Sequence, residues 1–298
     1  MQSKRNYLYL FLVLVVLAWG LSWPANKEGL NYTSPFWFAS MRLGFATLTM
    51  FILTFFLKKL IWPSKKDIPL ILVIGIFQIA LFILFINLGL EVGTSGRSAI
   101  LVYTTPLWVM PVAILIFKEH SSPLKWLGFI LGLLGVFIMV SPWEMDWSNS
   151  SILIGTLFLL LASISFSISI LCARHMTWHH TPLELIPWQL LLASILVIGA
   201  AFFYNPHPHV EWNLSSTACI LYTAIVATAL GFWGISVLSK NLTSIVMSLS
   251  FLGVPVSGVI FSVILLHEAL PLFMIVAMLC VICGLACVAL GEHYKDKK

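Results

Sequence analysis

The sequence predicts an all-α integral membrane protein of ten transmembrane helices, arranged as two inverted five-helix repeats. Three observations predict it. The 298 residues are 60% hydrophobic and only 9% charged, where a soluble domain is about a quarter charged, and mean hydropathy is +1.02. Apolar segments long enough to cross a bilayer follow one another with short polar breaks. The chain also repeats itself at half its length.

The apolar segments are 8–26, 34–57, 67–90, 95–117, 123–141, 152–173, 182–203, 213–238, 243–266 and 270–290. About 20 apolar residues span the hydrocarbon core as a helix. Most of these segments are apolar all round rather than striped, as helices facing lipid should be. The first follows Lys4-Arg5 and runs through Trp19 and Trp23 without a small-residue cleavage site, so it reads as an uncleaved span rather than a signal peptide.

Helix starts are explicit. Ser34-Pro35, Ser122-Pro123 and Thr181-Pro182 each put a hydroxyl before a proline at the first helical position. Thr181 and Glu184 have capping-box spacing, and Asn213 can cap the eighth helix.

The repeat runs through Thr94-Ser95, Pro106, Lys118-Glu119 and Gly135. These recur 149 residues later as Thr243-Ser244, Pro255, His267-Glu268 and Gly284. Upstream, Trp19, Lys27, Ser34-Pro35 and Arg42 match Phe166, Arg174, Thr181-Pro182 and Gln189 at an offset of 147. The halves are residues 1–147 and 148–298. Five spans is an odd number, so the second half must enter the membrane from the opposite side. Inverted repeats of this kind recur in secondary transporters.

Orientation follows from the basic residues. With the N-terminus cytoplasmic, Lys4, Arg5, Lys58, Lys59, Lys65, Lys66, Lys118, Lys125, Arg174, Lys240, Lys295, Lys297 and Lys298 lie inside, and only Lys27 and Arg97 outside. This bias places both termini in the cytoplasm. The net charge of +5 thus marks topology, not nucleic-acid binding. The five cysteines, Cys172, Cys219, Cys280, Cys283 and Cys287, lie in or near apolar runs and form no disulfide framework. Cys280, Cys283 and Cys287 share a face beside Gly284, which fits small-residue helix packing better than metal ligation.

Trp19-Gly20 in the first span, Arg42 in the second, and a Glu closing the fourth and ninth spans resemble the drug/metabolite transporter superfamily. The EamA-domain type, which includes bacterial amino-acid and metabolite exporters, is the most similar branch. The resemblance covers the whole chain, although Phe166-Ser167 stands where a Trp-Ala pair is usual. It implies a central cavity lined mainly by spans 1, 3, 4, 6, 8 and 9.

Candidate substrate-binding residues are Trp19, Ser22, Arg42, Gln78, Tyr103, Ser163, Ser167, Tyr222, Trp233 and Ser248. Trp19, Ser22, Trp23 and Asn26 share one face of the first helix. Polar groups on one face of a membrane helix look toward protein or water. Arg42 lies about eight residues inside its span, roughly 12 Å deep. It either anchors a substrate carboxylate or makes a structural contact to Asn26, Glu28, Glu91 or backbone carbonyls. The structural contact is the favoured reading. For Trp19 and Ser22 a cavity wall is the favoured reading, and each of the others serves interhelical bonding or packing at least as well as a cavity. Pro106 and Pro255 break spans four and nine at equivalent points and are candidate hinges. Glu119 and Glu268 read as helix-end charges complementing the next helix dipole. His175, His179 and His180 read as an exposed loop.

Taken together, these residues describe an aromatic, hydroxyl-rich, nearly uncharged cavity. The expected function is a secondary transporter, exporter or facilitator, moving small neutral or zwitterionic metabolites by alternating access, with amino acids foremost. Efflux of amphiphilic drugs is the alternative. A remote alternative is an integral-membrane metal-dependent enzyme, but no two catalytic-type ligands stand at one depth, so no enzyme, metal site or cofactor is expected. No Asp, Glu or His lies mid-span, which favours facilitated diffusion or exchange over proton coupling. The expected partners are a small-molecule substrate and membrane lipid, with no nucleic acid. A monomer satisfies the sequence. The expected location is the bacterial inner membrane.

Overall fold

A computed structural model describes residues 2–116, 122–140, 150–241 and 253–293. Their secondary structure is helical, with one isolated β-bridge, Thr33–Val210. The helices are α1 (Gln2–Gly29), α2 (Pro35–Phe56), α3 (Ile68–Val92), α4 (Ser95–Val102), α5 (Thr105–Leu115), α6 (Pro123–Val140), α7 (Ser150–His175), α8 (Pro182–Tyr204), α9 (214–241), α10 (Gly253–Leu266) and α11 (Leu272–His293). Six of them, α1, α2, α3, α7, α8 and α9, contain stretches long and apolar enough to cross a membrane. Shorter apolar stretches lie at Pro123–Ile138, Gly253–Leu266 and Leu272–Cys287.

Polar and apolar surfaces are distributed as lipid requires. Leu14, Leu48, Ile52, Phe137, Ile195 and Phe203 face outward, while Thr54, Asn87, Ser98, Ser163 and Thr223 are buried. The buried hydroxyls mostly bond back to their own helix, Thr47 to Leu43 O at 2.7 Å and Thr54 to Met50 O at 2.7 Å. Such bonds let a polar side chain sit inside a bilayer bundle without an orphaned donor.

Helix starts follow the sequence with one exception. Glu184 Oε2 accepts the Thr181 N–H at 2.8 Å. Asn213 Oδ1 accepts the Ser216 N–H at 2.8 Å. Ser122 Oγ accepts the Lys125 N–H at 3.3 Å. Ser34 sits at the N-cap of α2 in extended backbone, but its hydroxyl makes no capping bond. There Pro35 at the first helical position sets the start by fixing φ.

Two features go beyond the sequence reading. The fourth segment is broken: α4 stops at Val102, Tyr103 and Thr104 form a turn, and α5 restarts with Pro106 in its first turn. The third and eighth segments each contain a π-helical stretch, Ile74–Leu81 in α3 and Tyr222–Leu230 in α9. The two stretches fall at matching positions of the sequence repeat. A π stretch leaves the main-chain bonding register locally out of step with the α-helix and is often found at functional sites.

Packing runs in matched pairs. α2 packs on α8, and α6 on α11. α1 meets α9 and α10, while α7 meets α3, α4 and α5. α2 meets the π stretch of α9, and α8 that of α3. Within the α2–α8 seam, Leu43, Ala46, Leu190 and Ala193 are fully buried. There the Thr47 and Ser194 hydroxyls bond at 2.8 Å, two positions 147 residues apart. Small residues close the α6–α11 seam. A Cβ on Gly284 would stand 2.7 Å from both Gly128 O and Gly132 N, so the backbones meet directly.

Candidate functional site

The polar face of α1 lies against α9, α10 and α4. Trp19 Nε1 donates to Ala227 O in the π stretch of α9 at 2.8 Å, and its ring meets Phe232 edge-on at 6.3 Å. The Tyr222 hydroxyl returns the contact, donating to Ala18 O at 2.8 Å. Thr228 Oγ1 donates to Thr223 O, five residues back, at 2.8 Å. Each of these bonds takes up a carbonyl that a π register or a helix face leaves available. Ser22 is buried and bonds to Trp19 O at 2.7 Å. Trp23 is buried with its ring edge-on to Tyr103 at 6.4 Å.

Arg42 reaches this face from α2. Its Nε donates to Thr228 Oγ1 at 2.9 Å and its Nη1 to Asn26 Oδ1 at 3.1 Å, and the side chain is buried. The guanidinium therefore joins α2 to α1 and to the π stretch of α9. Of the two roles open to it in the sequence, this geometry matches the structural contact to Asn26.

The matching face of α7 splits in two. Ser163 lies 3.3 Å from Thr104 Oγ1 and 3.2 Å from Thr105 Oγ1, hydroxyl to hydroxyl. Ser167 donates to Thr105 O at 3.0 Å and Ser163 O at 2.7 Å. These two serines hold the α4–α5 break. On the other side of α7, Ser165 donates to Phe77 O and Ser169 to Gln78 Oε1, both at 2.7 Å. Thus α1 reaches a π-stretch carbonyl of α9 through Trp19, and α7 reaches one of α3 through Ser165.

The structure brings Trp19, Ser22, Arg42, Tyr103 and Tyr222 into one neighbourhood, joined by Trp23, Asn26 and Thr228. Ser163, Ser167 and Gln78 belong to the α7 side. Trp233 lies apart, edge-on to Phe11 at 6.0 Å. Pro255 is buried in the first turn of α10. Pro106 lies just after the α4–α5 break. Ser248, Glu119, Lys118 and Thr243-Ser244 lie outside the described residues. Thr104, Thr105 and Thr228 were not legible as site residues. The signals were there: Thr104-Thr105 directly precede Pro106, and Thr223 and Thr228 stand five apart.

Glu268 departs from its expected role. Instead of serving the next helix, its Oε1 accepts the Ser95 N–H at 2.6 Å and its Oε2 the Gly96 N–H at 2.9 Å. Lys27 Nζ donates to Leu90 O at 2.6 Å and Glu91 O at 3.2 Å, at the end of α3. At the other end of the bundle His180 is bound rather than loose, with Nδ1 2.7 Å from Asp67 Oδ2. Asp67 also accepts from Ser64 N at 2.9 Å and Ser64 Oγ at 2.6 Å. Burial opposes ionisation of the Asp67 carboxyl, but the Ser64 bonds and His180 together hold it below the usual carboxylate range.

These features define a multi-pass helical membrane protein with a hydroxyl- and aromatic-lined internal seam. The EamA-like transporter family model matches the chain twice, over residues 6–141 and 153–290, and the chain belongs to that family. It is 24% identical over 278 residues to the uncharacterised transporter YoaV of Bacillus subtilis (strain 168), covering 92% of this chain and 94% of that one. It is 25% identical over 295 residues to a probable amino-acid metabolite efflux pump of Escherichia coli (strain K12), with 95% of each chain covered. A protein crystal structure 14% identical in sequence superposes with a TM-score of 0.67, over 97% of this chain and 99% of that one. It shares the fold.

Proposed function

We propose that this transporter carries small neutral or zwitterionic metabolites, amino acids foremost, out of the cell by alternating access. In this reading the chain has ten spans in two inverted halves, 1–147 and 148–298, with both termini cytoplasmic in a bacterial inner membrane. Matched helix pairs and the Thr47–Ser194 contact across equivalent positions support the inverted repeat. So does the grouping of loops. Tyr32 O and Thr33 bond to the 209–211 segment at one end, while Asp67 and Ile61 bond to His180 and Trp188 at the other.

One observation carries the substrate class. The α1 face from Trp19 to Asn26 and its partners present indole, phenol, hydroxyl and carboxamide groups, with one guanidinium already bonded at two of its nitrogens. Such a surface suits a solute with balanced or no charge. A phosphorylated solute would need several free cations. The name of the Escherichia coli relative, a probable amino-acid metabolite efflux pump, agrees. The aromatic pairs Trp19–Phe232 and Trp23–Tyr103 support a second reading, efflux of amphiphilic cations.

Counterflow in proteoliposomes, with a panel of labelled amino acids and one lipophilic cation, tests both. Saturable exchange of an amino acid, reduced by Trp19→Ala, is the expected result. Exchange of the cation alone moves the assignment to the second reading. Transport of no panel member, with and without a proton gradient, refutes both.

A further inference from the structure

α10 ends at Leu266, and the chain then turns sharply. His267 takes a left-handed φ of 52°, and the Glu268 N–H reaches back to Ser262 O at 3.4 Å. This is a helix C-terminus closed by a left-handed residue, with a bond spanning six positions. The turn directs the Glu268 side chain to the first turn of α4, a helix of the other half. α4 needs it, because Thr94 at its N-cap makes no side-chain capping bond. The Glu268 carboxylate takes two of the open N–H groups and faces the positive end of the helix. One turn down α10, the Ser262 hydroxyl donates to the Ser95 hydroxyl at 2.9 Å. Beneath that the helices are in close contact: a Cβ on Gly258 would stand 3.3 Å from Ala99 Cβ. At this end of the bundle α4 is thus tied to α10 by one carboxylate and a serine pair.

We propose that Glu268 is the outer latch of the transport cycle. Its carboxylate holds α4 to α10 while this face is closed and releases the α4 N-terminus when the face opens. The proposal uses the alternating-access reading for its purpose, but the latch itself is a contact that can be tested without a substrate. Three properties fit the role. The contact joins the two halves, so it must change if they separate here. It is made to backbone N–H groups that water can satisfy equally well once exposed, so release leaves no orphaned side chain. Glu268 is half-buried at the end of the bundle, within reach of that water. The sequence supplies the same parts a second time, since Glu119 stands at the repeat position of Glu268 and Thr243-Ser244 at that of Thr94-Ser95. On the proposed topology the second set belongs to the opposite face.

The test replaces the five native cysteines and introduces Ser262→Cys, a near-isosteric reporter beneath the latch. Intact cells are treated with a membrane-impermeant maleimide, and labelling rates are compared with Glu268→Ala and Ser95→Pro added separately. Proline is accepted at the first helical position, where it removes the N–H that Glu268 Oε1 binds, and a Ser95→Ala control accounts for the hydroxyl lost with it. Losing a charge-assisted bond should shift the closed–open balance by about tenfold. Both variants should therefore label about tenfold faster from outside. Unchanged rates in folded Glu268→Ala protein overturn the latch. If Glu268→Ala does not fold, unchanged rates in Ser95→Pro do the same. A transport panel that fails while labelling rises removes the substrate assignment and leaves the latch standing.

Discussion

Replacing Asn26 by Leu isolates what Arg42 does. In the native protein Arg42 Nη1 and Nε are held by Asn26 and Thr228 at 3.1 and 2.9 Å, inside the bundle. Asn26→Leu removes one acceptor and leaves the guanidinium charged and short of a partner. A hydrogen bond within a membrane bundle is worth about 0.6 kcal/mol on average and about 1.7 at most. Stranding a buried polar group adds roughly 1–3 kcal/mol. Asn26→Leu alone should thus cost about 2–4 kcal/mol. Arg42→Met alone loses both bonds but also removes the cost of burying a charge, so its net effect is smaller. In the double variant the stranded charge is gone, and the Asn26→Leu penalty should shrink by about 1–2 kcal/mol. The assay is a double-mutant cycle of unfolding in mixed micelles, followed by far-ultraviolet circular dichroism. Two strictly additive substitutions would refute the clamp. A raised KM for an amino acid in Arg42→Lys, with unchanged stability, would instead make Arg42 a substrate anchor.

Gly284→Ala should destabilise by roughly 1–3 kcal/mol, because its Cβ would meet the Gly128 and Gly132 backbone rather than a side chain that can move. Gly44→Ala, with nothing within 4 Å of its Cβ, should gain up to about 1 kcal/mol from helix propensity; thermal melts of the two variants check the pair. For Asp67, whose folded pKa is depressed, the carboxylate's stabilisation is present above its unfolded pKa of about 3.9 and is lost as pH falls through the lower folded value. Asp67→Asn should therefore cost roughly 1.5–3 kcal/mol at pH 7, with the gap to the native protein closing only below about pH 4 in melts taken across pH.

Much of the fold could be read in the sequence because lipid imposes simple rules. A span must be apolar and must satisfy its own backbone, so each predicted segment is helical over most of its described residues, the fourth with a break at Tyr103 and Thr104. Local caps were equally legible: Thr181 with Glu184, and Asn213, act within four residues of themselves. Ser34 shows the limit, since its proline suffices to start the helix and its hydroxyl is left out. Long-range partners were the harder part. Asn26 was readable as one partner for Arg42, being 16 residues away. Thr228, 186 residues distant, was not. Glu268 looked like a local cap because sequence shows only the next helix, whereas its bond partners lie 172 and 173 residues back. The π stretches were not legible, because their residues, IGIFQIAL and YTAIVATAL, fit an α-helical span equally well.

Those π stretches have a geometric consequence. One residue of an α-helix is about 100° of rotation, and a π register accumulates angle more slowly. The two ends of α3 are therefore out of phase with each other, and so are the two ends of α9. A stripe that faces inward above the stretch continues on a different side below it. Within the stretch Gln78 meets α7, and beyond it Asn87 reaches Pro35 O at 3.4 Å. Each long helix thus behaves as two short ones of independent azimuth, joined without a break in the chain. That lets a single span address three neighbours, and a substitution above the stretch does not share a face with the one drawn beneath it on an ordinary helical wheel.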